Sequence, residues 1–205
     1  MNKKVAVFVE MKSEIPDVLL KSRDKIVNIH GNDVITIASG IGQRYTKPVA
    51  ERVCREFNPD VLVKLGFCGA IDKSLSRSDL VIVSNIRHKE REINTNLDRC
   101  PAAVATANKL VCHFGKMQTV NLPAFSQRGI SPDISAVDME AFVIAEVGLK
   151  FDIPVVIVKA VSDIVPKKFS FLALWHNIRV IKGSCKIGKG KLNSFVEEFL
   201  LTLTE

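Results

Sequence analysis

The stretch IPVVIVKAVSD, residues 153–163, decides the fold. Its centre, Val155–Val161, is a short, largely apolar run rich in β-branched residues, the pattern of a strand buried on both faces. Phe151–Pro154 ahead of it reads as a turn. Before that turn, Asp138–Leu149 reads as a helix, with Met139, Phe142, Val143 and Val147 on one stripe. The same alternation extends along the chain. Val5–Val9, Val34–Ala38, Val61–Leu65, Leu80–Val83 and Thr119–Leu122 read as strands; Ile15–Leu20, Pro48–Phe57 and Ala102–Phe114 read as helical. Phe169–Ile181 and Leu192–Leu203 read as two helices separated by Gly183–Lys191. Residues 85–101 are polar, charged and without periodicity, and read as a loop. Alternating strands and helices predict an α/β fold over residues 1–205: a single-domain three-layer sandwich around a mostly buried mixed sheet.

Composition narrows the function. The chain has 205 residues, 47% hydrophobic and 25% charged, within the range of ordinary globular proteins. The formal charge is +7, but the excess is local. Residues 164–191 contain Lys167, Lys168, Arg179, Lys182, Lys186, Lys189 and Lys191 and no acid, so the rest of the chain is balanced. That confinement argues against a nucleic-acid partner. The 5 cysteines (Cys54, Cys68, Cys100, Cys112, Cys185) show no C-x-x-C spacing, so no zinc site is predicted; reduced thiols and a cytoplasmic location are. Val5–Val9, broken by Glu10, is too short for the apolar part of a signal peptide. No apolar run approaches the roughly 18 residues of a membrane span.

In open α/β sheets ligands gather at the carboxyl ends of strands. Three such ends stand out: Gly40-Ile41-Gly42, Gly66-Phe67-Cys68-Gly69-Ala70 and Ser162-Asp163. Asp163 at a sheet rim is a candidate general acid, although a lone Ser-Asp also reads as a helix cap or turn. Asp138 and Glu140, flanking Met139 at a helix start, suit the helix dipole; a carboxylate at 140 aimed into a pocket could instead accept hydrogen bonds from a vicinal diol. The glycine segments read as turns that expose backbone amides to a ligand, and neither matches a dinucleotide fingerprint or a P-loop.

The order of these features is more specific than any one of them. A first strand is followed by Glu14. G-I-G at 40–42 comes next, then G-F-C-G-A at 66–70 and S-D-L-V-I-V-S at 78–84. V-D-M-E-A at 137–141 and V-S-D at 161–163 complete the series. The series resembles the nucleoside phosphorylase/nucleosidase family, most closely the hydrolytic members that cleave methylthioadenosine and S-adenosylhomocysteine. The resemblance runs to about Pro166. It implies that Asp163 protonates or hydrogen-bonds the purine N7, that Glu14 orients and deprotonates the attacking water, and that Glu140 binds the ribose hydroxyls beside Met139. It further implies that Phe125 stacks on the base, that Gly66, Phe67, Cys68 and Gly69 line the sugar side, and that Ser162 is among the substrate-binding residues. No metal or organic cofactor is implied, and a homodimer is.

The chemistry suits these residue types. Cleaving an N-glycosidic bond leaves a purine that is a poor anion and a sugar that gains positive charge. An acid by the base and a second carboxylate by the sugar answer both needs. Glu10 and Glu14 near the nucleophile position favour water over phosphate, while Arg44, Arg87 and Arg91 keep a phosphate-dependent phosphorylase as the alternative. Phe67, Ala70, Leu122-Pro123 and a short 85–136 region depart from the family pattern. They leave the 5′ substituent open, and with it a non-catalytic nucleoside-binding homologue. The compact middle is nearer the hopanoid-associated branch, and futalosine-type hydrolases form another branch. In the basic segment, Phe171, Leu174, Ile178 and Ile181 form a helical stripe that reads as packed on the sheet, with weak contact of 169–191 to an anionic membrane surface as the sharper reading.

Overall fold

The computed structural model describes residues 2–204; of residues 171–174 and 176–180 it describes the backbone only. In chain order the elements are strand β1 (Lys4–Val9), two short 3-10 turns at Lys12–Glu14 and Asp17–Ser22, β2 (Val27–Ile29), β3 (Asn32–Ala38), helix α1 (Gln43–Phe57), β4 (Val61–Ala70), β5 (Leu80–His88), β6 (Arg91–Asn94), α2 (Pro101–Lys109), β7 (His113–Thr119), β8 (Ala136–Asp138), α3 (Ala141–Phe151), β9 (Val155–Ile164) and α4 (Phe171–Thr202).

The strands form one mixed sheet among the described residues. β1 lies between β3 and β4, parallel to both. β4 pairs with β9 in parallel and with β8 antiparallel. β9 continues to β5, β5 to β7 and β7 to β8, so β4, β9, β5, β7 and β8 close a ring. Alternation along the strands makes both faces apolar. Ala6, Phe8, Leu62 and Ile157 pack with α1 and α3, whereas Val5, Val7, Val63 and Val158 pack with α2 and α4. The layered mixed α/β expectation is met.

Local chemistry sets the element ends. α1 buries Ala50, Val53, Cys54 and Phe57, and stops where Asn58 turns left-handed and donates its N–H to the Cys54 carbonyl. α3 stops in the same way at Asp152. In α4, Leu192, Phe195, Val196, Phe199 and Leu200 are at most 1% exposed, each contributing about 1.5–3 kcal/mol by burial.

Several expectations are corrected. Ile15–Leu20 forms 3-10 turns, not a helix. Helix α2 ends at Lys109, and the strand expected at Thr119–Leu122 ends at Thr119. Residues 85–101 are not a loop: β5 runs on to His88 and pairs antiparallel with β6. Their missing apolar periodicity has a cause, since this hairpin is held by cross-strand polar pairs, Arg87 to Glu92 at 2.6 Å and Asn85 to Glu92 at 3.2 Å. Gly66–Gly69 is not a turn but part of β4, bulged between Cys68 and Gly69. Ser162 and Asp163 likewise belong to β9.

The Gly/Lys stretch 183–191 does not separate two helices; α4 runs through it. Gly188 is a close-approach residue. A Cβ there would meet Ala160 Cβ at 2.8 Å and Phe67 Cε1 at 3.2 Å, so its absence lets α4 settle on the sheet. Lys189 pairs with Asp17 and Lys191 with Asp79, at 3.0 and 3.6 Å. The side chains of Phe171, Leu174 and Ile178, three of the four in the expected stripe, lie outside the described residues; Ile181 borders the cavity described below. No helix among the described residues is long and apolar enough to cross a membrane.

Candidate active site

The carboxyl ends of β1, β4 and β9, with the β8–α3 junction, surround a cavity of about 340 Å³. That is enough for a small ligand. Glu14, Glu140 and Asp163 all border it, although 22 or more residues separate each from the next along the chain. Met139, Phe125 and Ser162 border it too, as do Phe67, Cys68 and Gly69. Phe125 is half exposed at the mouth. The Phe67 ring lies against Gly188 of α4.

Each carboxylate is held differently. Glu14 sits on the 3-10 turn that follows β1, and its Oε2 accepts the N–H groups of Glu10 (3.0 Å) and Met11 (3.3 Å). Burial, reinforced by hydrogen bonding to Glu10 and by its charge, pushes Glu14 up to about 8. Glu140 caps α3, and its Oε1 accepts the Gly42 N–H at 2.6 Å, tying the glycine turn to the cavity. Burial pushes Glu140 up to about 7. Burial also raises Asp163, against the opposing effects of Ser162 and Arg77. Ser162 Oγ lies 2.6 Å from Asp163 Oδ1 and 3.1 Å from the Cys68 carbonyl oxygen.

Beneath these groups lies a charge cluster that the sequence reading passed over. Lys64 and Lys159 are completely buried, on the same sheet face of β4 and β9. Both reach Glu10: Lys159 Nζ is 2.5 Å from Oε1 and Lys64 Nζ 2.8 Å. Lys159 Nζ is also 3.2 Å from Asp138 Oδ2. Asp138 further accepts from Thr119 Oγ1 (2.7 Å) and the Ala141 N–H (2.8 Å). Burial works against ionising Glu10, but the two ammonium groups outweigh it and hold Glu10 well below the usual carboxylate range. Carboxylate oxygens of Glu10, Asp138 and Glu140 lie within 4.8 Å of one another, a spacing that attracts a cation. The Lys159 ammonium supplies that cation from the chain itself.

Gly66, expected on the sugar side of the pocket, sits instead under this cluster. It pairs in register with Lys159 across β4–β9. Its φ is +143°, and a Cβ would lie 2.2 Å from Glu10 Oε2. The missing side chain opens the path by which Glu10, at the end of β1, reaches across β4 to Lys159 on β9. The available signal was a lysine within each of two apolar strand runs, VLVKL and VVIVKAV. A charge there must find a buried partner.

The arginines considered for phosphate lie elsewhere. Arg87 pairs with Glu92 at 2.6 Å and Asp133 at 3.4 Å, and Arg91 with Glu146 at 2.6 Å. Arg44 stands over the Tyr45 ring. None borders the cavity.

The fold is nucleoside phosphorylase-like, and the chain resembles the nucleoside phosphorylase/nucleosidase family. The Phosphorylase superfamily model matches residues 21–121. Among curated proteins, the 5′-methylthioadenosine/S-adenosylhomocysteine nucleosidase of Bacillus licheniformis is 28% identical over 203 residues, covering 80% of this chain and 87% of that protein. The same-named protein of a Marinomonas species is 25% identical over 195 residues, covering 82% and 84%. Among solved structures, the 5′-methylthioadenosine/S-adenosylhomocysteine nucleosidase of Colwellia psychrerythraea, in complex with adenine, superposes with a TM-score of 0.82 at 19% identity. That match covers 99% of this chain and 96% of that one.

Proposed function

We propose that the protein is an N-glycosyl hydrolase that cleaves the glycosidic bond of a 5′-modified purine nucleoside, of the methylthioadenosine/S-adenosylhomocysteine kind, and releases adenine. The observation that carries this reading is the charge of the cavity wall. Among the described residues, every ionic side chain on it is an acid: Glu10, Glu14, Asp138, Glu140 and Asp163. Such a wall disfavours phosphate and favours a sugar gaining positive charge. The names of the curated relatives support the same reaction.

In this mechanism Asp163 is the general acid at the purine N7, oriented by Ser162. Its raised proton affinity suits that task. Glu14 takes the proton of the attacking water. Its position, fixed by two backbone N–H groups, supports that role. Glu140 uses the oxygen not engaged by Gly42 to accept from the ribose hydroxyls, with Met139 beside the sugar. Cys68, Gly69 and Phe67 border the sugar side, and Phe125 covers the base from the mouth. Oxocarbenium character at the sugar is stabilised by the neighbouring carboxylates.

Incubation with methylthioadenosine, S-adenosylhomocysteine and adenosine, with and without phosphate, tests the assignment. Free adenine is expected at the same rate in both media. Release only in phosphate would make the protein a phosphorylase. Heat of nucleoside binding without turnover would make it a binding homologue. A cytoplasmic location fits five cysteines that are all free thiols. A homodimer goes with the resemblance, and sedimentation velocity should show twice the chain mass; a single monomer-sized boundary at working concentration would remove that part of the proposal.

A further inference from the structure

Glu10, directly after β1, reaches Lys64 on β4 and Lys159 on β9, and of the three Glu10 alone borders the cavity. Lys64 is 0% exposed. Its Nζ is 2.8 Å from Glu10 Oε1, and it does not itself border the cavity. Its effect on the site is therefore its charge, delivered through Glu10. Two ammonium groups, Lys64 and Lys159, stand against the two carboxylates they pair with, Glu10 and Asp138. The pairs cancel, which leaves Glu14 and Glu140 at the cavity with no ammonium of their own among the described residues.

We infer that Lys64 is a positioning residue that acts through charge: set behind the cavity wall, it forms with Glu10 a buried pair that sets the ionisation of Glu14 and hence the pH range over which the site works. This rests on the proposed role of Glu14 as base. The groups that bear on Glu14 are Glu10 at the end of β1, Lys64 on β4, Lys159 on β9 and Cys185 on α4; Asp138 and Glu140, at the β8–α3 junction, border the same cavity. Lys64 and Lys159 pull Glu14 down while burial and Glu10 push it up. Removing one ammonium leaves the carboxylates in excess, and removing Glu10 leaves the ammonium groups in excess. The two changes must therefore act in opposite directions and cancel when made together.

The test is a double-mutant cycle on the full chain. Glu14 is titrated by carboxyl carbon NMR, its signal assigned by its loss in Glu14→Gln, and kcat/KM is measured against pH. Lys64→Met is expected to move the Glu14 midpoint and the acidic limb of kcat/KM upward by roughly one pH unit or more. Glu10→Gln is expected to move both downward, and Glu10→Gln/Lys64→Met to return both near the wild-type position. The double variant, with no unpaired charge left by either change, is the one expected to fold even where a single variant does not. Shifts of the same sign in both single variants, or a double variant whose midpoint stays displaced from wild type, would overturn the inference. The NMR midpoint needs no turnover. A cycle that closes on midpoints in a protein without nucleosidase activity supports the charge pair while overturning the role of Glu14 as base. Activity with uncoupled midpoints overturns the charge pair alone.

Discussion

Asp163→Asn is expected to lower kcat for adenine release by ~10²–10⁴-fold, with little change in KM or in melting temperature. Asparagine keeps the shape of the side chain. Its amide oxygen can still accept the hydrogen bond from Ser162 Oγ, now 2.6 Å from Asp163 Oδ1. What it lacks is a proton to give the purine N7 as the bond breaks. Burial raises Asp163 above its ordinary value, so the acid retains its proton closer to neutrality than a solvated aspartate does. The loss should therefore fall on the chemical step, and substrates with better leaving groups should suffer less. Steady-state kinetics on methylthioadenosine and on a nucleoside with an activated leaving group measure both. Full activity in the variant would sink the general-acid assignment.

Lys159→Met is expected to cost about 3–5 kcal/mol of folding stability, because it leaves buried Asp138 without its cation and Glu10 with Lys64 alone. Lys159 is 0% exposed and lies 2.5 Å from Glu10 and 3.2 Å from Asp138. Burial works against its charge, but Glu10, Asp138 and Glu140 outweigh that and raise its proton affinity above normal. For a chain of this size the loss corresponds to a melting temperature lower by roughly 6–20 °C. Urea denaturation followed by circular dichroism gives the free energy directly. A midpoint indistinguishable from wild type would show that the cluster is neutralised in some other way.

The fold was largely legible because its signals are local. The valine run at Val155–Val161 and the apolar run at Val61–Leu65 announce buried strands by composition alone, and α1 and α3 announce themselves by their stripes. The polar part of the hairpin, residues 85–94, did not, because charged cross-strand pairs hold it and leave no apolar alternation to read. Gly183–Lys191 misled for a related reason. Glycine lowers helix propensity, but Gly188 is where the helix touches the sheet, and that packing outweighs propensity.

The site divides in the same way. By itself the sequence determined that Glu14, Glu140 and Asp163 follow strands or open a helix in an order that resembles a nucleosidase. A strand end can be read from its neighbours, so its residues can be placed at the rim of a sheet. Only the tertiary structure decided that Gly66 yields space to Glu10, and that Glu10 joins Lys159 across 149 positions of chain. Only it decided that, among the described residues, Glu10 and Asp138 are the cavity carboxylates paired with an ammonium and Glu14 and Glu140 are not. Ionisation of a buried group depends on burial and on charges a few ångströms away, and strand order, not sequence distance, sets which charges those are.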